Sequence, residues 1–206
     1  MEQRTKEWFS SRLGKVTASR ASDVMAKTKS GYSASRTNYM AELICERLTG
    51  QPQERYSNAA MQWGIENEPQ ARAIFEFHSG HNVTECGFIA HPSIQNFGAS
   101  PDGLISEDGL VEIKCPNTAT HIETILQGSI DGKYVLQMQV QMSCTGRKWC
   151  DFVSFDPRMP IDMQLFIQRV TRDDTAISEI ETEVQKFLDE LSMKIDVLNS
   201  KYKAAA

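Results

Sequence analysis

The sequence predicts an α/β domain with a mixed central β-sheet flanked by helices. Three observations carry this. Helical patterns come first, a strand-rich centre follows with at least one helix inside it, and a strand and a long helix close the chain. The 206 residues, 40% of them apolar, can bury one substantial core and exclude a disordered chain. No run of about 18 apolar residues exists, so no membrane span is expected.

Residues 5–13 read as a short helix and "GKVTAS" as a loop. A second helix over 19–27 would be capped by Thr17 or Ser19. The Ser- and Gly-rich stretch 28–35 reads as a loop. Over 36–48, Tyr39, Met40, Leu43, Ile44 and Leu48 recur at helical spacing, and Gly50 ends the run. Residues 57–80 are mostly helical, with Asn58 as N-cap and Gly80 as C-cap. There Pro69 either kinks one helix or opens a second.

Strands are expected over 82–90, 103–106 and 110–115. Residues 133–146 fit either type, but Tyr134, Gln137 and Gln141 at helical spacing, with Gly146 as a stop, favour a helix. Residues 148–157 read as a buried strand ended by Pro157, and 161–170 as a further strand candidate. From 174 to 202, Ile177, Ile180, Val184, Phe187, Leu188, Leu191, Ile195 and Leu198 form the stripe of a long amphipathic helix. The whole chain is expected to be a single domain, with residues 203–206 as a tail outside the fold.

The N-terminus lacks the apolar core of a secretory signal. Five scattered cysteines without a C-x-x-C pair argue against a zinc site and for free thiols in a reducing compartment. Of the four histidines, His78 and His81 are three apart, not at the i, i+4 spacing of a helical metal pair, and no histidine is assigned a role. The net charge of −5 does not favour a polyanion partner, but its distribution does. Residues 1–36 hold eight Lys/Arg against three acids, a net of +5, which leaves −10 elsewhere.

The chemistry concentrates in "SPDGLISEDGLVEIKCP", residues 100–116. With a side-chain period of two, Glu112 and Lys114 share one face of a strand while Val111, Ile113 and Cys115 point to the core. A three-residue loop, Glu107–Asp108–Gly109 with Gly109 left-handed, would set Asp102 opposite Lys114 and Ile105 beside Val111. Two carboxylates and a lysine then converge. Their hard oxygens suit Mg²⁺ or Mn²⁺, the Ile113 carbonyl could add a ligand, and the ion would neutralise the acids and acidify a water. The plainer alternative is a surface hairpin whose charges pair loosely, at about 0–1 kcal/mol each.

"SPDG…VEIKCP" resembles the PD-(D/E)xK nuclease motif of restriction-endonuclease-like cores. With "RLGKVTAS", "WGIENE", "FEFHSG", "YVLQMQ" and "DPRM" in order, the chain resembles the phage lambda-type alkaline exonucleases of viral recombination systems. The resemblance covers roughly residues 5–200. It implies a Mg²⁺-dependent, processive 5′→3′ exonuclease that degrades one strand of double-stranded DNA to 5′-mononucleotides and leaves 3′ tails for strand annealing. It further implies two ions per site with Mn²⁺ as a substitute, a homotrimeric ring around DNA, a single-strand annealing recombination partner, no membrane, and the cytoplasm of a bacterial host or prophage.

By matching position, Asp102 and Glu112 would be metal ligands and Lys114 the catalytic lysine. Glu68 would complete the acidic site, with Glu66 as its competitor. Arg12, Ser19 and Ser100 match residues that hold a terminal 5′-phosphate, a role suited to a forked guanidinium and hydroxyl donors. The plain alternatives are a surface ion pair for Arg12 and an N-cap for Ser19. Tyr134 and Gln137 match a Tyr-x-x-Gln helix beside the metal, against ordinary helix-face packing. Lys29 is a candidate contact to duplex phosphates, with solvation preferred. Met61 could wedge between the strands of a melting end, with core packing preferred. An acidic exterior with a basic ring lining would reconcile the charge with DNA. The competing readings are another PD-(D/E)xK nuclease, such as a DNA endonuclease, and a non-catalytic clamp or recombination scaffold.

Overall fold

The computed structural model describes residues 2–53 and 59–203. The first helix, α1 (Lys6–Arg12), is capped by the Thr5 hydroxyl. Strand β1 (Val16–Thr17) follows, then a single 3₁₀ turn (Ala18–Arg20) and α2 (Ala21–Met25). The expected helix over 19–27 is therefore shorter and split, and neither Thr17 nor Ser19 supplies a side-chain cap. The expected loop at 28–35 contains a small hairpin instead, β2 (Lys27–Thr28) with β3 (Gly31–Tyr32). Helix α3 (Ala34–Thr49) runs from a Ser33 cap to the left-handed Gly50.

Helix α4 (Ala59–Ser79) is continuous through Pro69. A proline there removes the N–H that would bond the Ile65 carbonyl. Ile65 and Pro69 lie on the exposed side of the helix, where water can take that carbonyl. The expected cap, Asn58, lies outside the described residues, as do residues 204–206 of the tail.

The expected strand at 82–90 is two strands in two sheets, β4 (Val83–Thr84) and β5 (Ile89–Ala90). Strands β6 (Phe97–Ala99), β7 (Gly103–Ile105) and β8 (Gly109–Lys114) follow. Helix α5 (Thr118–Gln127) was not anticipated, although Asn117 caps its start and the left-handed Gly128 its end. Helix α6 (Gly132–Thr145), strand β9 (Trp149–Phe155) and helix α7 (Asp174–Lys203) match expectation. The strand candidate at 161–170 opens with a 3₁₀ turn and becomes β10 (Leu165–Thr171).

The main sheet is mixed, in the order β10-β9-β8-β7-β4, with β8 and β9 parallel and the other pairs antiparallel. A smaller sheet, β1-β6-β5, is also mixed. On one face of the main sheet, Val111, Ile113 and Val153 pack with Phe75 of α4. On the other, Leu110, Cys150 and Phe152 pack with Met138 and Met142 of α6. Beyond α6, Val140 joins Tyr39, Leu43, Val184 and Phe187 in a core shared by α2, α3 and α7. Helix α6 is thus buried on both sides, which erases the one-sided stripe by which a surface helix is recognised. All five cysteines are free thiols. Among the described residues, no helix is long and apolar enough to cross a membrane.

The β7–β8 hairpin keeps the expected face but not the expected register. Ile105 lies opposite Gly109 and Gly103 opposite Val111, so the loop is Ser106 to Asp108. Continued one step, this register sets Asp102 against Glu112, not Lys114. Gly109 is in the strand, and Ser106 takes the left-handed conformation (φ 47°). Two contacts explain the shift. The Trp149 ring lies on Gly109, where a Cβ would come within 2.2 Å of Cζ2. The Arg147 guanidinium binds the carbonyls of Ile105, Ser106 and Gly109 at 3.0, 3.0 and 2.6 Å. Because the slip is two residues, parity is preserved and Asp102 stays on the polar face.

Gly109→Ala is expected to destabilise the protein by about 1–3 kcal/mol through overpacking against Trp149. A urea or thermal melt measures it, and an unchanged midpoint would mean that the indole simply moves aside.

Candidate active site

The β7–β8 hairpin and α6 build the centre between them. Glu112 is fully buried, at 0% exposure, and its carboxylate is surrounded by donors. Gln137 Nε2 reaches Oε1 at 2.6 Å, Gln141 Nε2 reaches Oε2 at 2.5 Å, and the Lys114 ammonium pairs with Oε1. Gln137 and Gln141 stand one helical turn apart, so α6 offers both amides from one face. Gln141 is the contact that sequence reasoning missed. Its signal was available as the i+4 partner of Gln137, but not its target.

Asp102 Oδ2 accepts the Ile113 N–H at 2.7 Å. In an antiparallel pair a residue turns its N–H and C=O to the same neighbour, so the Ile113 carbonyl lies on the Asp102 edge. Burial first, and the Glu112 carboxylate second, hold the Asp102 carboxyl well above its ordinary range. Lys114 and the Ile113 amide offset this only in part. Burial would lower the Lys114 ammonium, but Glu112 and Asp102 outweigh it and hold its pKa raised, so the lysine is charged. Lys114 keeps a 28% exposed side chain and lies 5.2 Å from the Tyr134 ring centroid. Tyr134 in turn stacks on Phe152 at 5.5 Å.

A hard divalent cation fits this donor set. Asp102, Glu112 and the Ile113 carbonyl offer oxygen alone, and a cation would favour the charged form of Asp102 that burial, and then Glu112, disfavour. The set is spare. Among the described residues, no three His, Cys, Asp or Glu side chains gather closely enough to hold an ion unaided. Glu68, the expected additional acid, is near enough for its charge to act on Asp102. Its carboxylate is clamped, however, by Arg4 on one oxygen and by Arg72 on the other at 3.0 Å. Neither arginine was anticipated. Glu66, its competitor, is exposed and accepts a bond from Gln62 at 2.8 Å.

Two of the three residues expected to hold a 5′-phosphate meet. Arg12 Nη1 donates to Ser100 Oγ at 3.3 Å, and Trp8 Nε1 donates to the same oxygen at 3.0 Å. The Arg12 guanidinium lies 4.1 Å from the Trp8 ring centroid, which fixes its plane. Ser19 is exposed, with its hydroxyl 3.4 Å from that of Thr17. The parallel pairing of Thr17 with Gly98 sends both chains the same way, toward Ser19 and Ser100. Lys29 is exposed at the tip of the β2–β3 hairpin. Met61 is 50% exposed, so the preferred core role is wrong: the first turns of α4 project it away from the apolar clusters.

"DPRM" forms a brace beside the centre. Arg158 grips the buried Asp156 through Nε at 2.7 Å and Nη2 at 2.9 Å. It also reaches the Pro116 carbonyl at 3.4 Å and stacks 4.1 Å from the Trp63 ring centroid. The arginine therefore ties the start of α4 to the loop just after β8.

Against known proteins, residues 7–148 match the model of the YqaJ-like viral recombinase domain. The chain is 60% identical to LHK-Exo in its crystal structure with dAMP, with a TM-score of 0.93, covering 98% of this chain and 100% of that one. A second structure of that alkaline exonuclease, from Laribacter hongkongensis, matches at 59% identity and a TM-score of 0.92 over the same shares. A phage-related exonuclease from Haemophilus somnus 129PT has the same fold at 17% identity and a TM-score of 0.70, covering 88% of this chain and 96% of that one. Uncharacterized protein R354 of Acanthamoeba polyphaga mimivirus is 26% identical over 168 residues, 74% of this chain. The match spans only 29% of the length of that relative.

The brace predicts an acid limit to stability. Burial would raise the Asp156 carboxyl, but Arg158, with help from the Thr118 hydroxyl, holds it down at about 2 against an ordinary 3.8. A depressed carboxylate stabilises the fold above its unfolded pKa, and that contribution is lost as pH falls through the folded value. Melting temperatures should therefore decline between about pH 4 and pH 2. Arg158→Met should lower the melting temperature near neutral pH and flatten the acid decline, and a superimposable pH profile would refute the brace.

Proposed function

The chain belongs to the YqaJ-like viral recombinase domain family, in the branch of phage lambda-type alkaline exonucleases, and from that premise we propose a 5′→3′ exonuclease of double-stranded DNA. It would use Mg²⁺, with Mn²⁺ as a substitute, release 5′-mononucleotides processively and leave 3′ tails for an annealing partner. A ring-shaped homotrimer around the duplex belongs to the same proposal. One observation supports it: Arg12 donates to Ser100, two residues along the chain from Asp102, so a guanidinium and a hydroxyl suited to an anion adjoin the carboxylate–lysine centre.

The chemistry follows from that adjacency. Arg12 and Ser100, with Ser19, hold the terminal 5′-phosphate, which places the next phosphodiester over Asp102, Glu112 and Lys114. Asp102, Glu112 and the Ile113 carbonyl would hold the divalent ion, which supplies charge neutralisation at the phosphate and a more acidic water. Lys114 orients the attacking water and offsets the negative charge that develops on phosphorus. Gln137, Gln141 and Lys114 keep the Glu112 carboxylate aimed. Tyr134 backs Lys114, while Lys29 and Met61 are contacts for duplex phosphate and for the parting strands. Glu68 joins the acidic site only if its arginine clamp opens.

Linear duplexes with 5′-phosphate or 5′-hydroxyl ends, labelled at either terminus and incubated with Mg²⁺ or a chelator, test polarity, product and end recognition together. Cleavage of covalently closed circles would instead favour an endonuclease, and Mg²⁺-independent binding without products would favour a clamp. Arg12→Ala should slow digestion of phosphorylated ends selectively, by about 10-fold or more for a lost charge-assisted contact. Equal loss on both ends would remove Arg12 from the phosphate site. Lys114→Ala should lower kcat by about 10²–10³-fold while sparing DNA affinity. Undiminished turnover would overturn its assigned role.

A further inference from the structure

We propose that Gln141 is a positioning residue for the nuclease centre, setting the rotation of the Glu112 carboxylate and thereby its grip on a divalent ion. This rests on the nuclease reading above. The side chain is wholly buried, at 0% exposure. Its Nε2 donates to Glu112 Oε2 at 2.5 Å, while its Oε1 faces the Cys150 thiol at 3.9 Å. A carboxylate on one side and a thiol on the other define which end of the amide is which.

The two amides of α6 divide the carboxylate between them. Oε1 is shared by Gln137 and by Lys114, whose side chain is partly exposed. Oε2 is tied by Gln141 alone among the described side chains, in a part of α6 packed on both faces. The terminal torsion of a glutamate is broad and roughly two-fold. A donor fixed on Oε2 selects one orientation, in which Oε1 faces Lys114. Such outer partners of ligating carboxylates set ion affinity as well as ligand geometry, typically by about 10–100-fold.

The test substitutes Gln141→Met, which keeps the length of the side chain and removes its donor. Mn²⁺ binding is measured by calorimetry on the folded protein, beside kcat, KM for duplex ends and the Mg²⁺ concentration for half-maximal cleavage. The expected result is Mn²⁺ affinity about 10-fold or more weaker, a parallel rise in the Mg²⁺ requirement, a lower kcat and an unchanged KM. Gln141→Asn, which draws the amide back by one methylene, should lose affinity likewise and serves if the Met variant fails to fold. A folded variant with wild-type Mn²⁺ affinity and kcat overturns the proposal. Wild-type protein that takes up no Mn²⁺ and cuts no DNA overturns the nuclease reading with it.

Discussion

A carboxylate with no solvent exposure sits at the centre of this molecule. Removing such a charge from water costs several kcal/mol unless donors replace the lost hydration. Glu112 receives three, two amides from α6 and the ammonium of Lys114 on its own strand. The requirement is mutual. α6 can pack on the main sheet only if its glutamines find acceptors, and the sheet can bury Glu112 only beneath α6. The apolar contacts of Met138 and Met142 with Leu110 and Phe152 hold the two layers at the distance that lets both succeed.

The second constraint is the joining of two sheets. The small sheet carries β6 directly into Ser100, Pro101 and Asp102, and thence into the β7–β8 hairpin. Trp8 and Arg12 on α1 converge on Ser100 from the other side. The Arg12–Ser100 pair and the charged centre thus stand two positions apart along the chain, with Pro101 between them rather than a flexible loop. Gln3 strengthens the join, donating to the Cys86 and Pro101 carbonyls at 3.0 and 2.7 Å.

Much of this was legible in residue spacing. Alternation along β8 put Glu112 and Lys114 on one face, and that face survived a two-residue error in register because side chains repeat every second position. The error itself was unavoidable locally. The register depends on Trp149 covering Gly109 and on Arg147 gathering three carbonyls, both about 40 residues away in sequence. Motif position grouped Arg12 with Ser100, and the fold brings the two into hydrogen-bond contact. The arginine clamp on Glu68 was not anticipated, since Arg4 has no periodic relation to it. Helix α5 went unread although Asn117 and Gly128 mark its ends.

The sequence by itself determined the element types wherever a stripe or an alternation is one-sided, as in α7 and β8, because burial on one face leaves a period in the residues. It also determined which charges could share a face. Tertiary structure alone decided the register of the hairpin, the continuity of α4 through Pro69, the split of residues 82–90 between two sheets, and which amide meets which oxygen of Glu112. Those outcomes depend on contacts between distant segments, and such contacts leave no period along the chain.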